Sequence, residues 1–577
     1  MTADIPASIR DTWTDAPEEF FFCPGRDPGL SLLAPLPQMW RTIPRARLAA
    51  ASVSQAPQIA ARIASHIDTH FKRRAFRAGI EMRTVPVVAD GLAADGHFLS
   101  VGGKWLLSGA AGTRLRNRYV WKNEGLRDAD AETVAFFSRV QAESPAAPPV
   151  TQDATDALPF VIDARNGTNF YHFLTETLGQ LCIVDRDDYA GEVHIHLKGE
   201  EVRGFIRDWV DQIFPRLRGR LHFETGRKTY GRALTVLNAR HYYYQTDDSV
   251  IPSLDHLAPD SHFWKGRLAD RNSVGVLAMN SCDEMMVRLR ETAFRRIADG
   301  SWDHLPRRFW VGRKSERQRD MAGEAELVAE MTRRGFATVY FEDLSPLEQV
   351  AIMSRAEVMA SYHGAGFANM VFAGPQTHCI EIGTLQTCLF RWQDFMPHVL
   401  ASGCRYTSLF GDYNLEDPEK DIDDRRGKAL APVALGVGGQ ARALGFIDAI
   451  LGRVRVASVS RFSELAELLS MLEDHGALHR LFDTHKGIER KDPDLMILLA
   501  NALQGTGDED TAFDRLLEAW QATGDRPFLL ERLILLGREI GRPTERQLSE
   551  HAQKYPTRAK LLTRKLRRRA RGDTAGT

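Results

Sequence analysis

The sequence predicts an α/β protein in which two consecutive Rossmann-like units face each other and a helical C-terminal region follows. Three observations predict it. Apolar strand-like runs alternate with helical runs from residue 158, and the same alternation restarts at 307. Beyond about 455 the pattern turns wholly helical. The chain of 577 residues has room for three or four domains at roughly 100–200 residues each.

Residues 1–79 read as a weakly patterned N-terminal extension with one helical stretch around 46–78. An α/β unit is expected over 80–300. It opens with short β-like runs up to 122, crosses a Pro- and Ala-rich linker at 143–157, and continues as LPFVID, a helix after Asn169, EVHIHL, a helix through 200–214, and LTVLNA. The second Rossmann-like unit is expected over 301–412. RRFWVGR is its first strand, AELVAEMTRRG a helix ending at Gly335, and ATVYFEDL the next strand. Ser345, Pro346 and Glu348 spell a capping box that starts a helix. EVMASY is then a strand, HGAGFANMVF a turn into a short helix stopped by Gly374-Pro375, and HCIEIG a strand. A charged connector is expected over 413–454 and a helical region over 455–556, where segments recur at about the 34-residue spacing of helix-turn-helix repeats. A plain helical bundle is the alternative. A basic tail occupies 557–577.

The composition is ordinary for a globular chain, 43% hydrophobic and 26% charged, which excludes wholesale disorder and fibrous repeats. Net charge is −1, so nucleic acid is not expected as the main partner. That sum hides an asymmetry. Residues 558–571 carry eight cations and no acid, and removing those eight from the total leaves −9 on the rest. Six scattered cysteines form no C-x-x-C pair, no apolar run is long enough for a membrane span, and the first residues lack a secretory pattern. A cytoplasmic protein is expected, with peripheral contact between 558–571 and the inner face of an anionic membrane as one use of the tail and a solvated terminus as the other.

The stretch Tyr362-His363-Gly364-Ala365-Gly366-Phe367-Ala368-Asn369 lies where a strand should end and a helix begin. In open α/β sheets ligands gather at the carboxyl ends of strands, and unpaired N–H groups at a helix start suit phosphate. Gly364 and Gly366 would let a ligand approach the backbone; packing alone would also explain them. Arg313 and Arg319 follow the preceding strand and could clamp a diphosphate, or be part of a solvated basic loop. Glu381, near the end of HCIEIG, could accept from ribose hydroxyls or partner an arginine. In the first unit Asn169 should cap a helix, placing His172 in its first turn with Glu176 four residues on. A histidine oriented by a carboxylate can take a proton from a hydroxyl, although such pairs are often only surface pairs. His194 and His196 share a strand face without a third metal ligand and read as packing. HYYYQ at 241–245 is an aromatic strand end, and Asp185-Arg186-Asp187-Asp188 has a metal-site spelling in an unpromising polar loop.

Together, Asn169-x-Tyr171-His172-x-x-x-Glu176, Arg313, Arg319, Leu344-Ser345-x-x-Glu348-Gln349 and His363-Gly364-Ala365-Gly366-x-x-Asn369 with Glu381 resemble glycosyltransferase family 61, most specifically over 307–383. The family includes plant xylan-decorating transferases, animal O-linked N-acetylglucosaminyl transferases and bacterial capsular-polysaccharide-type proteins. The resemblance implies a GT-B architecture, a nucleotide-diphosphate sugar as donor, a glycan or lipid-linked acceptor, inversion at the anomeric carbon, and neither an obligatory metal nor a further cofactor. It puts His363, Gly364, Ala365, Gly366 and Asn369 on the donor loop, Arg313 and Arg319 at donor-site positions, and Asn169, His172 and Glu176 on the acceptor-side motif of the first unit. Where the family has an Asn-Glu pair this chain reads Asp320-Met321-Ala322-Gly323-Glu324. A catalytically degenerate α/β protein, with the helical region as a protein-interaction module, is therefore the alternative. A phosphotransferase is disfavoured, because no G-x-x-x-x-G-K-[ST] loop is present.

Overall fold

A computed structural model describes residues 16–37, 40–71, 78–95, 98–106, 136, 139–140, 143, 147–164, 169–197, 202–238, 281–314, 321–417, 419 and 429–570. Its strands, in chain order, begin with β1 (Leu30–Leu32), β2 (Trp40–Pro44), β3 (Arg47–Ser52), β4 (Ala78–Met82), β5 (Thr84–Asp95), β6 (Phe98–Val101) and β7 (Lys104–Leu106). The middle of the chain adds β8 (Phe160–Ala164), β9 (Val193–Leu197), β10 (Leu221–Glu224), β11 (Lys228–Asn238) and β12 (Ser281–Asp283). The second series is β13 (Arg308–Val311), β14 (Ala337–Val339), β15 (Val358–Tyr362), β16 (His378–Thr384), β17 (Arg405–Tyr413) and β18 (Val433–Ala434).

The result is a mixed α/β fold. One sheet has the order β10-β9-β8-β11-β5-β6-β7, parallel from β10 to β11 and antiparallel beyond. A small sheet orders β12-β4-β2. The third has the order β14-β13-β15-β16-β17, all parallel, with β18 antiparallel at its edge. Strands β15 and β16 are buried along their whole length, as expected of parallel strands covered on both faces. From β13 the chain steps outward to β14 and then back past β13 to β15, which creates a topological switch between β13 and β15.

The two series share one core. A single apolar cluster runs from Ile162, Leu174 and Trp209 through Met286 to Phe309, Val350 and Trp392. Trp209 stacks on Phe372 at 5.7 Å, directly across the junction. Burial of such residues is worth about 1.5–3 kcal/mol each, so this junction is a major source of cohesion.

Two sequence expectations change. The stretch expected to be helical around 46–78 contains β3, which lies parallel to β17 over six residues; the helix starts only at Pro57. RLAAAS has helix-favouring alanines, but the open edge of β17 offers a full ladder of hydrogen bonds, and pairing overrides propensity. The segment expected as a connector, 413–454, supplies β18 and a helix, Val437–Ile450, whose Phe446 and Ile447 are buried against the outer face of the third sheet.

Helical hairpins follow. Their first helices start at Val459, Pro493 and Pro527, so 493 minus 459 and 527 minus 493 both give a spacing of 34. Asp508 caps its helix by accepting from Thr511 N, and Gly507 and Gly524 end the preceding helices at positive φ. The final helix, Pro556–Ala570, covers most of the segment whose sequence reads as a tail.

The first hairpin is bolted to the third sheet. Asp474 caps the His475–Thr484 helix, accepts from His378 Nε2 at 2.8 Å, and lies 3.7 Å from Arg405 Nη1. Burial pushes its carboxyl pKa up, but the His378 hydrogen bond and the Arg405 charge outweigh that and hold it well below the usual range. A depressed carboxyl stabilises the fold above its unfolded value of about 3.9 and loses that contribution as pH falls further. Asp474→Ala should cost about 3–5 kcal/mol, because it strands a buried guanidinium. Denaturant titration of wild type and variant tests this, and the gap should close on acidification below about pH 4.

Candidate active site

The site forms at the switch between β13 and β15. Arg313, two residues beyond β13, donates from Nη2 to the carbonyl oxygen of His363 at 2.9 Å, and its guanidinium lies 4.5 Å from the centre of the Tyr362 ring. Gly364 makes this possible. Its backbone is extended, so no left-handed geometry is involved; a Cβ there would overlap the guanidinium, approaching Cζ to 2.7 Å. From Ala365 the chain enters a 3-10 helix, Ala365–Phe372, with Ala365 and Gly366 partly exposed at its mouth. Arg319 and the aromatic HYYYQ run lie outside the described residues.

His363 is turned by Glu381. Its Nδ1 is hydrogen-bonded to Glu381 Oε1, while Glu381 Oε2 accepts from the Tyr406 and Ser408 hydroxyls. Glu381 is fully buried. Its carboxylate is therefore committed to a histidine and two hydroxyls, which leaves it enclosed rather than presented to a ribose, and the partner is not the arginine considered from the sequence. Asn369 is likewise enclosed. Its amide donates to Gln349 Oε1 at 3.0 Å, and Gln349 in turn donates to the carbonyls of Phe341 and Leu344. The L-S-x-x-E-Q and H-G-A-G-x-x-N motifs are thus two halves of one brace. Ser345 and Glu348 form the expected capping box, with Ser345 N donating to Glu348 at 2.8 Å.

The motif of the first series arrives from β8. Asn169 Oδ1 accepts from His172 N at 3.4 Å and starts a helix that runs as one α turn (Phe170–His172), a π turn (Phe173–Thr177) and a 3-10 turn (Leu178–Ile183). His172 Nδ1 and Glu176 Oε1 are 3.1 Å apart, on one face as their spacing requires. The histidine is partly exposed and the glutamate nearly buried. This helix is pinned to the segment that follows β16. The Tyr171 hydroxyl donates to the Asp394 carbonyl, and its ring packs on Phe395 and His398. Thr175 and His398 are hydrogen-bonded at 2.9 Å, and Phe395 also packs against the His363 ring at 5.3 Å. Tyr171 and Phe395 therefore bridge the two histidine motifs.

Asp394 lies within electrostatic reach of both His172 and His363. Burial pushes its carboxyl pKa up against the Arg391 charge, whose Nε sits 3.1 Å away. The residues Asp394, Phe395, His398, Tyr406, Ser408 and Gln349 are the part that sequence reasoning missed as site residues. For Gln349 the signal was its place in the L-S-x-x-E-Q motif, and for 391–400 it was position, after the carboxyl end of a strand. The other candidates lie elsewhere: His194 pairs with Glu224 and His196 with Tyr230, both at 2.9 Å, while Asp187 pairs with Arg216.

One histidine–carboxylate pair thus stands at the end of β15, and a second on the helix seated against the loop that follows β16. Residues 170–380 match the family model Glycosyltransferase 61, which bears out the family resemblance drawn from the motifs. The matched stretch runs from the residue after Asn169 to the one before Glu381, and so spans both motifs. The match suggests a glycosyltransferase, a family that works on a nucleotide sugar and an acceptor. No curated protein matches the chain.

The Gln349 brace can be tested without substrate. Gln349→Leu roughly keeps the volume but strips the Asn369 amide and the Leu344 carbonyl of this partner, whereas the Phe341 carbonyl still accepts from Leu344 N. It should lower stability by about 2–6 kcal/mol in denaturant titration, at roughly 1–3 kcal/mol for each of two stranded groups. A loss below 0.5 kcal/mol would show the brace to be dispensable.

Proposed function

We propose that the chain is an inverting, GT-B-type glycosyltransferase that moves a hexose or pentose from a nucleotide-diphosphate sugar to a hydroxyl of a glycan or lipid-linked acceptor, in surface polysaccharide assembly of the bacterial capsular type. The observation that carries the reading is the convergence of His172–Glu176 and Arg313–His363–Gly364 on the β13/β15 switch. In this reading the third sheet, with 301–412, is the donor side and 80–300 the acceptor side. No metal is required. The working place is the cytoplasm, at the inner face of a membrane; among the described residues no helix is long and apolar enough to cross one. The 34-residue hairpins are TPR-like and offer a surface for a protein partner. A catalytically degenerate α/β protein acting as a helical-repeat interaction module is the weaker reading, because both histidine–carboxylate pairs are intact.

The mechanism follows from the tautomer. With Nδ1–H donated to Glu176, His172 keeps a free lone pair on Nε2. That nitrogen takes the proton of the acceptor hydroxyl as its oxygen attacks the anomeric carbon from the face opposite the diphosphate. The anomeric C–O bond breaks, the electron pair leaves on the diphosphate, and a single displacement inverts the carbon. Arg313 and the N–H groups at Ala365 and Gly366 stabilise the negative charge as it develops. Glu381 positions His363 at the donor loop.

His172→Ala should lower kcat by about 10²–10⁴-fold while nucleotide affinity stays unchanged; full turnover in product analysis by mass would remove His172 from the role of base. Arg313→Ala should weaken nucleoside-diphosphate binding about 10–100-fold in calorimetry, at roughly 1.5–3 kcal/mol for a hydrogen bond to a charged group. Gly364→Ala should weaken it similarly by displacing the same guanidinium, and the double variant should be no worse than Arg313→Ala alone. Additive losses would separate the two residues.

A further inference from the structure

We infer that the C-terminal helix, Pro556–Ala570, together with Phe528 forms a docking face for an anionic lipid surface. The inference goes beyond the catalytic reading and does not depend on it, because no residue used here belongs to the site.

The helix does not fray from the body. Leu562 is 2% exposed in the core of the last hairpin, and Leu566 packs beside it. Arg558 makes two hydrogen bonds to Glu531, at 2.6 and 3.1 Å, and its guanidinium lies 3.8 Å from the centre of the Phe528 ring. These contacts fix the rotation of the helix. With Leu562 and Leu566 facing inward, Lys560, Arg564 and Arg567 form one exposed strip at i, i+4 and i+7, and Leu561 with Lys565 forms the next. The helix carries no acidic residue. On the two helices before it, Glu531 is taken by Arg558 and His551, Glu545 by Arg538, and Glu550 by Lys554.

Beside these cations stand two large apolar side chains that the fold leaves in water. Phe528 is 71% exposed and Leu561 57% exposed. Leu561 lies one turn beyond Arg558, the residue that stacks on Phe528, so both belong to the same edge of the patch. Cations alone would suit any polyanion. Cations flanking a phenyl ring and a leucine suit a surface that offers phosphate above and hydrocarbon beneath, which is a lipid leaflet. A nucleic-acid partner is disfavoured by the same pair of side chains and by the charge of about −9 outside 558–571, which would repel a polyanion beyond the patch.

Cosedimentation of the full-length protein with phosphatidylcholine vesicles, with and without phosphatidylglycerol, tests this. Binding should require phosphatidylglycerol and weaken as salt is raised. The variant Lys560→Glu/Arg564→Glu/Arg567→Glu should bind on the order of 100-fold more weakly, since each basic residue near such a surface contributes about a factor of five. Phe528→Ser/Leu561→Ser should also lose affinity, but retain the salt dependence. All these positions are exposed, so melting temperatures should match wild type; if the reversals melt early, glutamine versions carry the same comparison. Equal binding by the charge-reversal variant, indifference to phosphatidylglycerol, or no effect of Phe528→Ser/Leu561→Ser would each overturn the inference. So would capture by duplex DNA without binding to vesicles. None of these readouts involves a sugar donor, so failure here would leave the catalytic reading standing, and failure of catalysis would leave this one.

Discussion

Strands β13 and β15 are neighbours in the sheet but not in the chain, and the helices that leave them cross over in opposite directions. The gap this creates at their carboxyl ends is where Arg313 lies across the His363 carbonyl, against Tyr362 and over the bare Cα of Gly364. Much of the candidate site depends on this contact. A side chain at 364 would lift the arginine, and without the arginine the His363 carbonyl would lose its guanidinium donor. The switch point is a property of strand order, and only a sheet with β14 on one side and β15 on the other supplies it.

The second constraint is the shared core. Two α/β series could each close on themselves and meet through a hinge. Here Trp209 stacks on Phe372, and Tyr171 reaches Asp394, Phe395 and His398. The His172 helix is consequently seated on the third sheet's own loops. Its position relative to His363 is set by packing, in which sub-ångström fit matters, and not by a flexible linker. The helical region joins the assembly in the same way, through Asp474 to His378 and Arg405 and through the Val437–Ile450 helix. The third sheet and the helical hairpins are continuous rather than strung together.

Motif residues separate into two kinds once their surroundings are known. His172 and Arg313 are partly exposed, with Glu176 largely enclosed behind the histidine it holds. Asn369, Gln349 and Glu381 belong to the same sequence motifs but are fully enclosed or nearly so, and they hold the loop that carries His363 and Gly364. Recurring residue types in a motif therefore mark the brace as well as the site.

The sequence alone determined the local features. The alternation of strand and helix, the Ser345–Glu348 capping box, the Asn169 cap, the pairing of His172 with Glu176 and the 34-residue helical spacing all depend on residues within a few positions of one another, or on simple repetition. Only the tertiary structure decided the rest. It turned 47–52 from an expected helix into an edge strand, because β17 had an open ladder. It buried Glu381 under Tyr406 and Ser408, placed Asp394 between two histidines, and fastened the basic tail as a helix through Leu562 and Arg558. Each of these outcomes joins residues distant in the chain, and what decides them is the free energy of pairing or burying partners whose meeting no local pattern encodes.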